Sequence, residues 1–305
     1  MKEFISTGIS RRILAITPTL LVLFSVLTLL VFSGGMVISQ FSGKPQQEWE
    51  DFDPTNFDNP TKIDNEWMPM KPGKQLAHEG TSLEEGERVH HRIELTITDL
   101  TKEIDGVQTV VVWIVDYRKG ELIEKEVAFF AQDNDGNVWL FGEYPEAYEN
   151  GILVEAPTWI AGLQDARPGI MMQADPKEGT PSYSQGWGPA VDWTDRAQVY
   201  KMGQKTCVPV DCYEDVLIMD EFNYKEPGFK QKYYARGVGH VRVGWRGDEE
   251  QQETLELVGL KELSPEELAE VRKKSLELEK DAYKRSKDVY AHTKPIEQPG
   301  MGGSK

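Results

Sequence analysis

Residues 88–98 read RVHHRIELTIT and residues 107–117 read VQTVVVWIVDY. In the first, Val89, His91, Ile93, Leu95 and Ile97 share one face while His90, Arg92, Glu94 and Thr96 share the other. A period of two over this length describes a strand with one face buried. The second is dense in β-branched and aromatic residues, and residues 122–131 continue in kind. Asp105-Gly106, Lys119-Gly120, Asp135-Gly136 and Asn150-Gly151 punctuate these runs at intervals of 14, 16 and 15 residues. Glycine adopts the positive φ that tight hairpins need, and Asp or Asn commonly precedes it. The pattern predicts an antiparallel up-and-down meander.

Further strands are expected near 196–203, 205–210, 213–221, 229–235, 238–246 and 252–260. Roughly ten strands exceed what a flat sheet carries, so a mainly β body curled into a barrel, half-barrel or sandwich is expected over residues 63–260. The Pro- and Gly-rich stretch from Pro157 to Trp193 reads as a long loop lying over an open end or face.

Outside the sheet, residues 13–32 (ILAITPTLLVLFSVLTLLVF) run twenty positions without a charge, enough for a helix to cross a bilayer. Lys2, Arg11 and Arg12 precede this run, and Glu48, Glu50, Asp51 and Asp53 follow it. The positive-inside rule therefore puts residues 1–12 in the cytoplasm, a transmembrane anchor at 13–33, and the body outside. A cleaved signal peptide is the competing reading, and it leaves the body extracytoplasmic too. Residues 34–62 read as an acidic, Pro-containing tether.

Ser264-Pro265-Glu266-Glu267 carries the start signals of a helix over 264–290. Its apolar stripe is Leu268, Val271, Ser275, Leu278, Ala282 and Val289, which either docks on the sheet or takes a protein partner. Residues 291–305 are expected to be a disordered tail.

The chain has 305 residues, 34 basic and 51 acidic, for a formal net charge of -17. Such a surface repels a phosphate backbone, which argues against nucleic-acid binding. Nothing in the sequence calls for a cofactor: there is no phosphate loop, nucleophile elbow or paired-histidine zinc helix.

A series of short motifs runs in order through the body. They are Asn65-Glu66-Trp67-Met68-Pro69-Met70-Lys71-Pro72-Gly73, Phe130–Trp139 (FAQDNDGNVW), Phe141-Gly142-Glu143, Glu149-Asn150-Gly151, Trp159-Ile160-Ala161-Gly162, Pro168-Gly169-Ile170-Met171 and Tyr233–Gly239 (YYARGVG). Over residues 60–245 this series resembles a widespread group of uncharacterised secreted or membrane-tethered bacterial and archaeal proteins, many of them lipoproteins. The resemblance implies a β-rich extracytoplasmic protein and implies no catalytic residues. The chain departs from the group in having an apolar anchor where a lipidated cysteine would stand, in Cys207 and Cys212, and in its long C-terminal helix.

Candidate chemistry is sparse. Cys207 and Cys212, five apart, can bridge if the chain turns at Pro209, and an oxidising compartment favours the bond; two reduced thiols are the alternative, and redox or metal work is a third. Asp133, Asp135 and Asn137 offer oxygen ligands for calcium, but they lack the EF-hand spacing and also suit a plain hairpin turn. His91 and His240 could meet inside a barrel, as metal ligands with a third group or as hydrogen-bonded core residues. Glu124 and Glu126 share a strand face; they read as a solvated face, or else as an acid–base pair with carboxylates across the sheet. Trp113, Trp159, Trp187 and Trp193 are the candidates to line a ligand cavity, with core packing as the alternative. These features favour a non-catalytic, membrane-anchored binding or accessory protein. A carrier or sensor of a lipid-like molecule held on a concave face is the alternative, and a secreted hydrolase is a third.

Overall fold

A computed structural model describes residues 49–298. The anchor expected at 13–33 lies outside the described residues, and among those described no helix is long and apolar enough to cross a membrane.

The meander forms as the turns dictate. Strands β1 (Lys74–Glu84), β2 (Glu87–Ile104), β3 (Val107–Arg118), β4 (Glu121–Gln132) and β5 (Val138–Glu149) follow one another as antiparallel neighbours. Two-residue turns at Glu85-Gly86, Asp105-Gly106, Lys119-Gly120 and Asn150-Gly151 join them, and β5 to β6, with positive φ at both positions. That is the turn whose twist matches paired strands. Asp135-Gly136 belongs to a longer turn in which only the glycine has positive φ.

The remaining strands are β6 (Ile152–Glu155), β7 (Trp159–Ile160), β8 (Arg167–Met172), β9 (Tyr183–Ser184), β10 (Gly186–Trp187), β11 (Arg196–Val208), β12 (Asp211–Phe222), β13 (Phe229–Ala235), β14 (Gly239–Arg246) and β15 (Thr254–Glu262). The stretch expected as a structureless loop over 157–193 thus carries four short strands, because Trp159, Met172, Tyr183 and Trp193 are all buried there and hold it in the sheet. The runs read as separate strands at 196–203 and 205–210 are one irregular strand, β11, with register shifts on its pairing to β12.

All fifteen strands belong to one sheet, ordered β10-β8-β5-β4-β3-β2-β1-β15-β14-β13-β12-β11-β9 with β6 and β7 beside β5. Of the barrel, half-barrel and sandwich expected, the closed barrel and the sandwich are corrected to a single open, curled sheet, which of the three is nearest to the half-barrel. Its two ends are nevertheless neighbours, since the terminal strands β9 and β10 are consecutive in the chain. Bulges between Ala128 and Phe130 and near Asp116 assist the curl.

The curl separates two cores. On the inner face Val112, Phe130 and Leu140 from the early strands pack with Leu217, Met219, Tyr234 and Val241 from the late ones. On the outer face Val111, Trp113, Phe129 and Phe141 pack beneath helix α1 (Pro265–Arg285). Ser264 caps α1 through the expected box with Glu267. The helix stops at Arg285, short of the expected 290, and a separate turn follows at Tyr290–His292. Of its stripe, Val271, Ser275, Leu278 and Ala282 are buried, and Arg272 donates two hydrogen bonds to Asp99, 2.6 and 2.7 Å long. Buried Lys102 reaches Glu279 at 3.0 Å and lies 4.4 Å from the centre of the Tyr290 ring.

Both flanks are ordered further than expected. The described part of the linker packs, with Phe52 and Phe57 against Trp139 and Phe141. The first residues of the tail bridge to the sheet at Thr101 and Glu297, and Ile296 is buried.

Trp113 is 7% exposed and sits in the core on the helix side. Trp113→Ala is expected to cost about 3–5 kcal/mol in denaturant unfolding, as large-to-small core changes do. An unchanged unfolding midpoint contradicts this placement.

Candidate functional site

The inner face of the sheet encloses a cavity in two adjoining lobes of about 270 and about 230 Å³. Met68, Leu95, Ile114, Glu126, Lys230, Lys232, Tyr234 and His240 border both. Alternation explains how these side chains come to face it. On β4, Glu124 and Glu126 point the same way as Ala128 and Phe130, and on β13, Lys230 and Lys232 point with Tyr234. Glu124 and Glu126 are therefore buried inside the molecule, 4% and 7% exposed, and not on the solvated face first assigned to them.

One wall is a chain of compensated charges. His91 is fully buried, with Nε2 2.8 Å from Asp116 Oδ1 and Nδ1 2.8 Å from Glu253 Oε1, the second contact out of hydrogen-bonding alignment. Burial opposes its charge, but the two carboxylates outweigh burial and hold the imidazolium above its usual range. Glu253 also meets Lys230 at 3.0 Å, and Lys232 meets Glu221 at 2.7 Å. Burial again opposes these charges; Lys230 and His91 nonetheless hold the Glu253 carboxyl well below its ordinary range.

The other wall gathers carboxyl groups. Glu126 on β4 and Glu143 on β5 lie in hydrogen-bonding contact, with Glu124 beside the former and Asp195 acting on the latter. Burial, then the negative charge of Glu143 and Glu124, pushes Glu126 well above the carboxylate range. Burial pushes Glu143 up to about 7, partly held back by the Trp159 indole, and lifts half-buried Asp195 to about 7. No N–H or O–H of the described residues reaches Glu126 Oε1. Its neighbours across the sheet, Ile114 and Pro145, offer no side-chain donor.

The other candidates fall in several places. Trp193 borders the first lobe, and Trp159 packs on it with ring centres 4.9 Å apart. Trp187 is half-buried at the sheet edge against Trp49, and Trp113 points to the helix side, away from the cavity. His240 meets His78 and not His91, the two rings stacking at 4.7 Å. Burial takes His78 down to about 4 and His240 well below its usual value, so both are neutral.

Asp133 is occupied within its turn, accepting from Asn137 N, Asn137 Nδ2 and Trp139 Nε1 at 2.8 Å each, while Asp135 accepts from Asn56. Among the described residues no three His, Cys, Asp or Glu side chains are grouped to hold a metal ion. Cys207 and Cys212 form a disulfide across the exposed β11–β12 hairpin.

Three of the sequence motifs, those at 65–73, 130–139 and 233–239, meet at one end of the cavity. Asn65 accepts from the backbone of Trp67 and Met68 and donates to Gly136 and Gln173, while Gly237 donates to Glu66. Arg236 covers the buried ring of Trp67 at 4.1 Å. The motifs thus build a plug that sets Met68 and Met70 into the cavity wall.

No protein-family model matches the chain, and no curated protein sequence does. Two solved structures overlap it in part. One is an inferred exported protein with a YmcC-like fold from Bacteroides fragilis, 13% identical, with a TM-score of 0.39 over 65% of this chain and 99% of that one. The other is an inferred lipoprotein from Parabacteroides distasonis, 13% identical, with a TM-score of 0.34 over the same shares. At these scores the likeness does not extend to function.

The buried groups fix the direction of pH dependence. Glu143 and Asp195 keep protons in the folded chain up to about 7, whereas the unfolded chain releases them near 4.5 and 3.8. The folded state holds more protons across that window, so stability falls as pH rises through it, by about 1.4 kcal/mol per proton and pH unit. His91 acts in the same sense, its contribution being complete below 6.5 and lost as pH climbs from there through the raised value of the folded chain. Glu253 withdraws its contribution only on the acid side of 4.5. Thermal unfolding is expected to show a steady loss of stability from about pH 5 to about pH 8, and Glu143→Gln should make that loss shallower while Asp195 and His91 keep its direction. A profile rising over that range contradicts the assignment.

Proposed function

We propose that this chain is a membrane-anchored, extracytoplasmic, non-catalytic binding protein that holds an amphiphilic small molecule inside its curled sheet. One observation carries the reading: a cavity whose floor is apolar (Leu95, Ile114, Phe130, Leu140) and whose walls present buried carboxyl groups and lysines. A greasy floor with a few placed polar groups is the general form of a small-molecule site. The apolar stripe of α1 lies against the sheet, which turns the reading from a partner docked on that helix toward a ligand in the interior.

The extracytoplasmic placement rests on the uncharged run at 13–32 and the basic residues before it, and the Cys207–Cys212 bond accords with an oxidising compartment. A reporter enzyme fused behind Lys305 is expected to be active only outside the cytoplasm; activity confined to the interior refutes the topology. Organic extraction of the protein purified from its own membranes should release a bound amphiphile in near-equimolar amount by mass spectrometry, and its absence speaks against the carrier reading.

A further inference from the structure

Seven carboxyl side chains border the first lobe of the cavity and four the second, with Glu126 common to both. Among the described residues Lys230 and Lys232 are the only lysines or arginines on either lining, and each already faces a carboxylate, Glu253 and Glu221 respectively. The excess of acid is concentrated where Glu126 touches Glu143. There Glu126 Oε1, in a side chain only 7% exposed, accepts from no donor among the described residues. A buried carboxyl oxygen without a donor is costly, and an N–H-bearing cation is the partner that satisfies both its charge and its lone pairs. The apolar floor beside it suits a hydrocarbon chain.

Resting on the carrier reading above, we propose that the guest is an amphiphilic amine, its ammonium seated on Glu126 and Glu143 and its chain along Leu95, Ile114, Phe130 and Leu140. The protons now held by the pair are the stand-in for that cation. Seating the ammonium releases protons from the pair, so binding strengthens as pH rises. The charged groups facing Glu126 are Glu124 on its own strand, Glu143 on β5, with Asp195 beyond it, and Lys232 on β13. Lys232 repels a cation, and Glu221, 2.7 Å from it, offsets that repulsion.

The test is calorimetric titration of the full chain, stripped of bound lipid, with decylamine, decanol and decanoate, which share one chain length and differ in head charge. It is run in high salt, which screens attraction to the acidic outer surface. Decylamine is expected to bind once per chain, about tenfold or more tighter than the other two, and more tightly at about pH 8 than at about pH 5. Glu126→Gln copies the protonated side chain, so the protein should fold normally while its preference for the amine disappears.

If decanol or decanoate binds as tightly as decylamine, the head-group inference is overturned and the carrier reading stands. If none of the three binds, the carrier reading itself fails. Amine binding that survives intact in folded Glu126→Gln overturns the assigned seat.

Discussion

The stack of Trp159 on Trp193, with Gly186 pressed between the rings and the backbone of β8, makes an enclosed interior out of an open sheet. A Cβ at Gly186 would stand 2.7 Å from atoms of both rings, and one at Gly169 would stand 2.2 Å from the Gly186 nitrogen. Here only backbone fits. β10 hangs on β8 at one edge of the sheet and β9 on β11 at the other, with the single residue Gln185 between them. The two edges are thus held together by chain continuity and aromatic packing, without a ladder. The electrostatics depend on this seam. Glu143 and Asp195 owe their raised proton affinity first to withdrawal from water, and a parted seam would hydrate them.

The same strands serve two unlike surfaces. Trp113 and Phe129 face α1, while Ile114 and Ala128, one residue along, face the cavity. The outer side is nearly all apolar and its few charges are paired, Lys102 with Glu279 and Arg272 with Asp99. That is how a sheet face behaves when its task is to hold a helix. The inner side mixes apolar residues with charge, at a desolvation cost of several kcal/mol per ion. Asp116, His91, Glu253 and Lys230 meet this cost by alternating in sign. Glu126 and Glu143 meet it by keeping protons.

The meander was legible because the evidence for it is local. The period of two in 88–98 and the Gly-containing turns each report on a few neighbouring residues, and the resulting strands run as read. β1 was harder to see because Ala77, Gly80 and Thr81 blur its alternation. The short strands between Trp159 and Trp187 escaped notice because each is only two to six residues long and is held by distant partners. The cavity had a signal that was misjudged. Glu124 and Glu126 alternate in step with Ala128 and Phe130, so a wholly solvated face would have exposed Phe130 too. Lys230 and Lys232 repeat the pattern with Tyr234. Acids on one strand and lysines on another, each in phase with apolar residues, mark a shared interior. What no sequence pattern could supply was the pairing of His78 with His240 or of Glu126 with Glu143, since the curl decides both.

Two buried carboxyl groups with displaced proton affinities are also what acid–base hydrolases use, so the geometry between them matters. Glycoside hydrolysis needs its carboxyls about 5–5.5 Å apart to form a covalent intermediate, or about 6.5–9.5 Å apart to admit water. Glu126 and Glu143 instead lie in hydrogen-bonding contact, closer than either spacing. Across the sheet Glu126 faces Ile114 and Pro145, which provide nothing to polarise a scissile bond. The nearby lysine, Lys232, is committed to Glu221. A proton held by this pair can be given up when a positive charge arrives, which is the response that the proposed ammonium guest requires.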